Sequence, residues 1–181
     1  MKSLRVTITG KTPLLMHAWH HLEADRSNKL QSPLEQAEAG TYRTAAGELC
    51  VPGYNLQRAL IAGATFSKGK GKGTQKRNIA AGLFVRELEI GLGQKEFVVA
   101  MHRVVIAASG KGTAVTRYRA RIDKWELVFT IDYDEVLLNK TIIEKVITDT
   151  GNLIGILDFR PEKLGPFGKF ELTRITEAKA I

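Results

Sequence analysis

The sequence lacks most of the features that announce a covalent scaffold or a familiar enzyme. One cysteine, Cys50, occurs in 181 residues. That excludes an intrachain disulfide and a cysteine-rich zinc site. No segment approaches the 18 or more apolar residues of a membrane span, and the opening "MKSLRVTITG" lacks the continuous apolar stretch of a signal peptide. A cytoplasmic, reducing setting with no membrane partner is therefore expected. No nucleophile elbow or dinucleotide fingerprint is present. The stretch "GKGKGKGT" resembles a phosphate-binding loop superficially, but Gly73 is followed by Thr74 rather than by Lys, so the P-loop frame is broken. A helical pattern precedes it, where a Walker site needs a buried strand. No internal repeat or domain linker interrupts the chain, and no cofactor is expected.

Acidic residues are in deficit: 27 Lys plus Arg stand against 19 Asp plus Glu, a formal charge of +8. Such an excess favours polyanionic partners. A hydrophobic fraction of 44% suits one globular domain with a real core. "LRVTITG" alternates with a period of two, Leu4, Val6 and Ile8 against Arg5, Thr7 and Thr9, as in a half-buried strand. Pro13 breaks it, and residues 25–49 read as a loop or small excursion. "VPGYNLQRALIAGATF" predicts a helix from about Tyr54 to Thr65, with Leu56, Leu60 and Ile61 at helical spacing. "SKGKGKGTQKRN" reads as a flexible basic loop, because closely spaced glycines do not hold a helix and like charges repel. "LFVRELEIGL" and "EFVVAMHRVVIA" read as strands, "SGKGTAVTRYRAR" as a basic connection, and "KWELVFTIDYD" as the clearest strand. A second helix follows, with Asn139 as N-cap and an apolar stripe of Ile142, Ile143, Val146, Ile147, Leu153 and Ile154. "KFELTRITEA" is a last strand. The order strand, helix, strands, helix, strand predicts an α+β, RRM-like or ferredoxin-like fold: an antiparallel sheet with two helices on one face. Basic loop insertions are expected at about 10–50, 66–80 and 107–123 of a single domain spanning 1–181.

Three basic segments are candidate nucleic-acid contacts. The first holds Lys68, Lys70, Lys72, Lys76 and Arg77. The second holds Arg117, Arg119 and Arg121, which share one face if the chain is extended there and can track successive phosphates; Tyr118 either stacks on a base or packs inward. The third is the glycine-rich "GILDFRPEKLGPFGKFEL", with Arg160, Lys163 and Lys169. Its Gly155, Gly165 and Gly168 permit positive φ and close backbone approach, Pro161 and Pro166 stiffen it, and Arg160 offers a bidentate phosphate contact. Phe159 is expected to anchor in the core; Phe167 is an anchor or a stacking ring. His17, His20 and His21 with Glu23 and Asp25 invite a metal or acid–base reading, but their spacing matches no familiar metal site, and they read first as loop residues. His102 reads as an ordinary surface residue.

Three segments in order, "LRVTITGKTPLLMH", "VPGYNLQRAL" and "RPEKLGPFGKFEL", resemble the RAMP superfamily of CRISPR-associated proteins, and above all its guide-RNA-binding backbone subunits. The resemblance implies an RRM-like fold opened by the strand–turn–helix, a glycine-rich loop before the final strand, and a compact single-RRM relative that assembles side by side along single-stranded RNA in antiviral defence. A relative carried by a phage or mobile element fits the same pattern, and other ribonucleoprotein subunits are implied partners. Arg58, in the second turn of the first helix, joins the candidate contacts on this ground. Binding is expected to be largely independent of base sequence, and DNA remains an alternative ligand. Two other functions stay open: a metal-independent RNA endonuclease using His17, His20 or His21, and a basic protein-binding or inhibitory component of a ribonucleoprotein; for the catalytic aspartate loop of the target-cleaving members, Asp25 is the one candidate after the first strand. The balance lies with binding rather than catalysis.

Overall fold

The protein was analysed as a computed structural model that describes residues 1–18, 32–69, 71, 73–106 and 113–179. The alternating N-terminal segment forms β1, Lys2–Gly10, and β2, Leu14–Met16, follows the Pro13 break. Next come α1 (Pro33–Ala39), β3 (Cys50–Pro52), α2 (Gly53–Gly63), α3 (Lys76–Gly82), β4 (Leu83–Val85) and β5 (Glu89–Gly91). The chain continues through β6 (Val98–Ile106), β7 (Thr113–Ile122), β8 (Glu126–Tyr133), α4 (Lys140–Asp149) and β9 (Phe170–Ala178).

The principal sheet has the order β4–β8–β1–β9, and every pairing in it is antiparallel. With α2 between β1 and β4, and α4 between β8 and β9, this is the ferredoxin-like arrangement expected from the element order. One face of the sheet is apolar. Leu4, Val6 and Ile8 of β1 and Leu127, Phe129 and Ile131 of β8 are buried there. Leu56 and Leu60 of α2 and Ile143, Val146 and Ile147 of α4 close over them in one core. Each such side chain removed from water stabilises the fold by about 1.5–3 kcal/mol. Asn139 caps α4 as its sequence position predicts, accepting from the Ile142 N–H at 2.9 Å.

A second sheet, β2–β7–β6, is built from what was expected to be an insertion. Residues 113–122 are a strand, not a connection, and pair with β6 along its whole length. The period of two is present in "TAVTRYRARI", but arginines occupy one of its faces and hide the pattern. Two further segments read as loops are partly helical. α1 begins at a capping box in which Ser32 and Glu35 satisfy each other's backbone N–H, a local start signal (S-x-x-E before a helix) inside the stretch expected to be a loop. α3 takes up Lys76 and Arg77, because "NIAAG" supplies a buried Ile79 and alanines of high helix propensity. "LFVRELEIGL" splits into two short strands in different sheets. The Gln57 amide donates to the Leu83 carbonyl and accepts from the Val85 N–H, both at 2.8 Å, and thereby covers the outer edge of β4.

After α4 the helix widens into a single π turn over Thr150–Ile154, closed by the Gly155 N–H on the Thr150 carbonyl at 2.8 Å. The wider turn breaks the apolar stripe. Ile154 stays buried, while Leu153 is 45% exposed, against expectation. It also delivers the chain into the glycine-rich loop.

Candidate nucleic-acid interface

The loop between the π turn and β9 is held against the segment that follows β1. The Gly168 N–H donates to the Pro13 carbonyl at 2.9 Å, and the Asp158 N–H to the Leu15 carbonyl at 3.0 Å. Trp125 fixes the same corner through its indole N–H on the Thr12 carbonyl at 2.9 Å. Within the loop, the Ile156 N–H bonds the Gly168 carbonyl at 3.0 Å. Gly168 has φ of 70°, and a Cβ there would lie 2.1 Å from the Ile156 carbonyl oxygen, so only glycine closes this loop.

The first turns of α2 form the other wall. Two adjoining cavities lie between α2 and the loop. One, of about 160 Å³, is lined by His17, Tyr42, Asn55, Leu157, Asp158 and Arg160. The other, of about 270 Å³, is lined by Asn55, Arg58, Ala59, Ile156, Leu157, Arg160 and Lys163. Asn55, Leu157 and Arg160 belong to both, so the two make one groove. Arg58, Arg160 and Lys163 give it a cationic lining. Asn55 and Arg58, three residues apart, share a helix face. That spacing was readable in "YNLQR", whereas Tyr42 carried no such mark. Burial pushes the Tyr42 hydroxyl above its ordinary range, against a hydrogen bond with Asn55 that acts the other way; it stays protonated at neutral pH.

Arg160 is not an idle cation. Its guanidinium donates to the Leu157 carbonyl at 2.7 Å and to Glu162 Oε2 at 3.0 Å. A phosphate at Arg160 has to displace Glu162, which is 34% exposed. Lys163 sits in a short 3-10 turn, Pro161–Lys163, and projects from the surface. Lys169 is held through its backbone: its N–H donates to the Thr12 hydroxyl at 3.0 Å.

The arginine row of β7 faces this loop. In the β6–β7 ladder, His102 pairs with Arg117, Ala100 with Arg119 and Val98 with Arg121. Cross-strand partners point to the same side, so the three arginines share one face, as their spacing implies. Their surroundings differ. Arg121 is paired with Asp123 at 2.7 Å. Arg119 is buried, its side chain 9% exposed, and lies 2.8 Å from Asp158 of the loop. The two are an ion pair without hydrogen-bond alignment, and Arg119 Nη1 has no hydrogen-bond partner. Burial lowers the Arg119 pKa; Asp158 opposes this. Tyr118, on the opposite face, is half-buried and pairs across the strands with Met101.

Two expectations about rings need correction. Phe159 is not in the core: it is 37% exposed. His102 is not an ordinary surface residue: its imidazole meets Phe167 edge-on at 5.3 Å and Phe159 at 6.2 Å. Burial, then Arg119, hold His102 below the usual imidazole range.

The structure thus brings together Arg58, Arg117, Arg119, Arg121, Arg160, Lys163, Gly165, Gly168 and Lys169. It does not bring Lys68, Lys76 and Arg77 to them. These follow the C-terminal end of α2, about 16 Å along the helix from its start. There Lys68 and Arg77 border a separate depression with Val136, Leu137 and Ile142. Lys70, Lys72, His20, His21, Glu23 and Asp25 lie outside the described residues. Of the histidine cluster, only His17 is placed, in the wall of the groove. Among the described residues no group of three or more His, Cys, Asp or Glu is arranged to hold a metal, and no helix is long and apolar enough to cross a membrane.

No protein-family model matches the chain, and no curated protein matches it in sequence. Among solved structures it is similar to a chain in the cryo-EM structure of the Type III-B Cmr-beta bound to cognate target RNA, with a TM-score of 0.58 and 14% identity. The match covers 98% of this chain and 61% of that one, so the present chain spans about three-fifths of its neighbour's length. At this identity the likeness is one of fold alone.

Proposed function

We propose that the chain binds single-stranded RNA, largely without regard to base sequence, as a compact RAMP-like subunit of a CRISPR-associated ribonucleoprotein. The observation that carries this reading is convergence. Three segments far apart in sequence, 11–17, 53–58 and 155–169, meet around one groove with a cationic lining, and a fourth, the arginine face of β7, abuts it. The fold likeness to a chain of an RNA-bound CRISPR complex supports the same conclusion, as does the charge of +8. Affinity would come from Arg58, Lys163 and Arg160 at phosphates, with Arg117 extending the track over the hairpin. The basic segment of Lys68, Lys76 and Arg77 lies at the far end of α2. It would contact the strand further along, or the next copy in a side-by-side assembly.

The test is retention of single-stranded RNA at low ionic strength. The reading expects affinity to fall steeply with salt and the mass of the complex to grow with RNA length. RNA that passes unretained at low salt refutes it. A basic protein-binding component would instead keep one mass whatever the RNA. His17 in the groove wall beside Tyr42 and Asp158 favours a second reading, metal-independent RNA cleavage with His17 in acid–base exchange. Labelled RNA left intact by the wild-type protein over a range of pH removes that reading and leaves the first untouched.

A further inference from the structure

Three non-glycine residues of the glycine-rich loop have left-handed backbone: Leu157 (φ 59°), Phe159 (φ 47°) and Leu164 (φ 59°). Large side chains rarely adopt this region, and it persists only where surroundings impose it. Leu157 has a structural reason, since its side chain is buried in the core. Leu164 ends the 3-10 turn, where such a conformation commonly stops a helix. Phe159 has neither reason. Its strained backbone turns an aromatic ring outward.

The surroundings hold it there. The Phe167 N–H donates to the Phe159 carbonyl at 3.2 Å. Gly165 passes so close that a Cβ on it would lie 1.8 Å from the Phe159 oxygen and 2.5 Å from the ring. The Phe159 and Phe167 rings lie 6.0 Å apart at a 34° tilt, and the His102 imidazole braces both from the edge. With its pKa lowered, that imidazole is uncharged at neutral pH. The cluster is separate from the buried Trp125–Phe170 pair. On one side it meets the arginine face of the hairpin, where His102 is the cross-strand partner of Arg117. On the other side lies the groove lined by Arg160 and Lys163.

We propose that Phe159 is a stacking platform for one base of the bound strand, with Phe167 and His102 bracing it and the flanking cations holding the adjoining phosphates. This rests on the single-strand-binding reading above and names what that site does with the bases. A base suits the platform better than a protein does. The large exposed apolar side chains of the loop are two, Phe159 and Leu164, set among charges, whereas protein contacts need a larger apolar core. Aromatic stacking tolerates every base, which agrees with binding that ignores sequence.

The experiment compares fluorescence anisotropy of an end-labelled oligouridylate with that of an abasic ribose–phosphate strand of the same length. Wild-type protein is expected to prefer the oligouridylate. Phe159→Ala is expected to weaken it by about tenfold, the scale of one base–aromatic stack, and to leave the abasic strand unchanged. Phe159→Leu, which keeps the apolar bulk and so guards the fold, is expected to lose as much, and Phe159→Trp to retain binding. Equal wild-type affinity for both strands overturns the platform and leaves the RNA-binding reading standing, as does equal weakening of both strands by Phe159→Ala. Wild-type protein that binds neither strand overturns the RNA-binding reading itself and the platform with it.

Discussion

Asp158 is the residue at which the loop, the hairpin and the groove meet, and its removal is the most informative perturbation of stability. Its carboxylate stands 2.8 Å from Arg119, whose side chain is 9% exposed. Asp158→Ala leaves that guanidinium away from water with no counter-charge. Breaking a buried pair from one side costs about 3–5 kcal/mol. Asp158 itself is 30% exposed, so water can enter where the carboxylate was, and a loss of about 2–3 kcal/mol is expected. For a domain of this size that lowers Tm by about 4–12 °C. Replacing both partners, as Arg119→Met with Asp158→Leu, removes the stranded charge and should recover most of the loss. Thermal and urea unfolding followed by circular dichroism measure both variants. A single variant that melts with the wild type refutes the reasoning, and so does a double variant no more stable than the single.

Three other outcomes follow from particular residues. Asp132 accepts from Arg86 at 2.9 Å and from Ser3 at 2.6 Å, and Arg86 above all holds its pKa below the usual carboxylate range. Its contribution is therefore complete above the unfolded value of about 4 and is lost as pH falls through the lower folded value; Asp132→Asn should flatten the acid limb of a stability-against-pH curve. The Cys50 thiol is 2% exposed and pushed up to about 11 by burial, so thiol reagents at pH 8 should label it only when the protein is unfolded. Arg58→Ala and Lys163→Ala should each weaken RNA binding and reduce the log–log salt slope by about 0.7, the value for one phosphate contact on a single strand; unchanged slopes would place the phosphates elsewhere.

Much of the fold is legible in the sequence because its central elements obey simple periods. β1, β8 and α4 each bury one face, and Asn139 marks a helix start by a local hydrogen bond that needs no tertiary context. β7 is less legible for the opposite reason. Ala120 and Ile122 of one face join the core, but the other face carries arginines, and only the loop, some forty residues later, explains what they face. The groove was half readable. Arg58, Arg160 and Lys163 stand out by charge, and Asn55 by its spacing from Arg58. Asp158 and His102 gain their meaning only where two distant segments touch. Phe159 looks like a core residue in sequence, since it closely follows a helix; its exposure results from a φ of 47°, which no propensity announces.

The outer face of the principal sheet gives a physical reason for proposing the site at its edge. RRM-like domains that read RNA on the sheet do so with aromatic rings on the central strands. Here the central strands offer Arg5, Thr7 and Thr9 from β1, and Glu126, Val128, Thr130 and Asp132 from β8. The charges on this face are largely paired: Arg5 with Glu87 at 3.0 Å, and Arg86 with Asp132. Glu87 also accepts from the Thr130 N–H at 2.8 Å, which locks the pairing in place. A face with no central ring and little unpaired positive charge has little to offer a polyanion. The cations Arg58 and Lys163, which line the groove, together with the exposed ring of Phe159, lie instead around the loop between α4 and β9. On the proposed reading the four-stranded frame serves as a support, and its ligand is expected along the rim where the glycine-rich loop meets α2 and the β6–β7 hairpin.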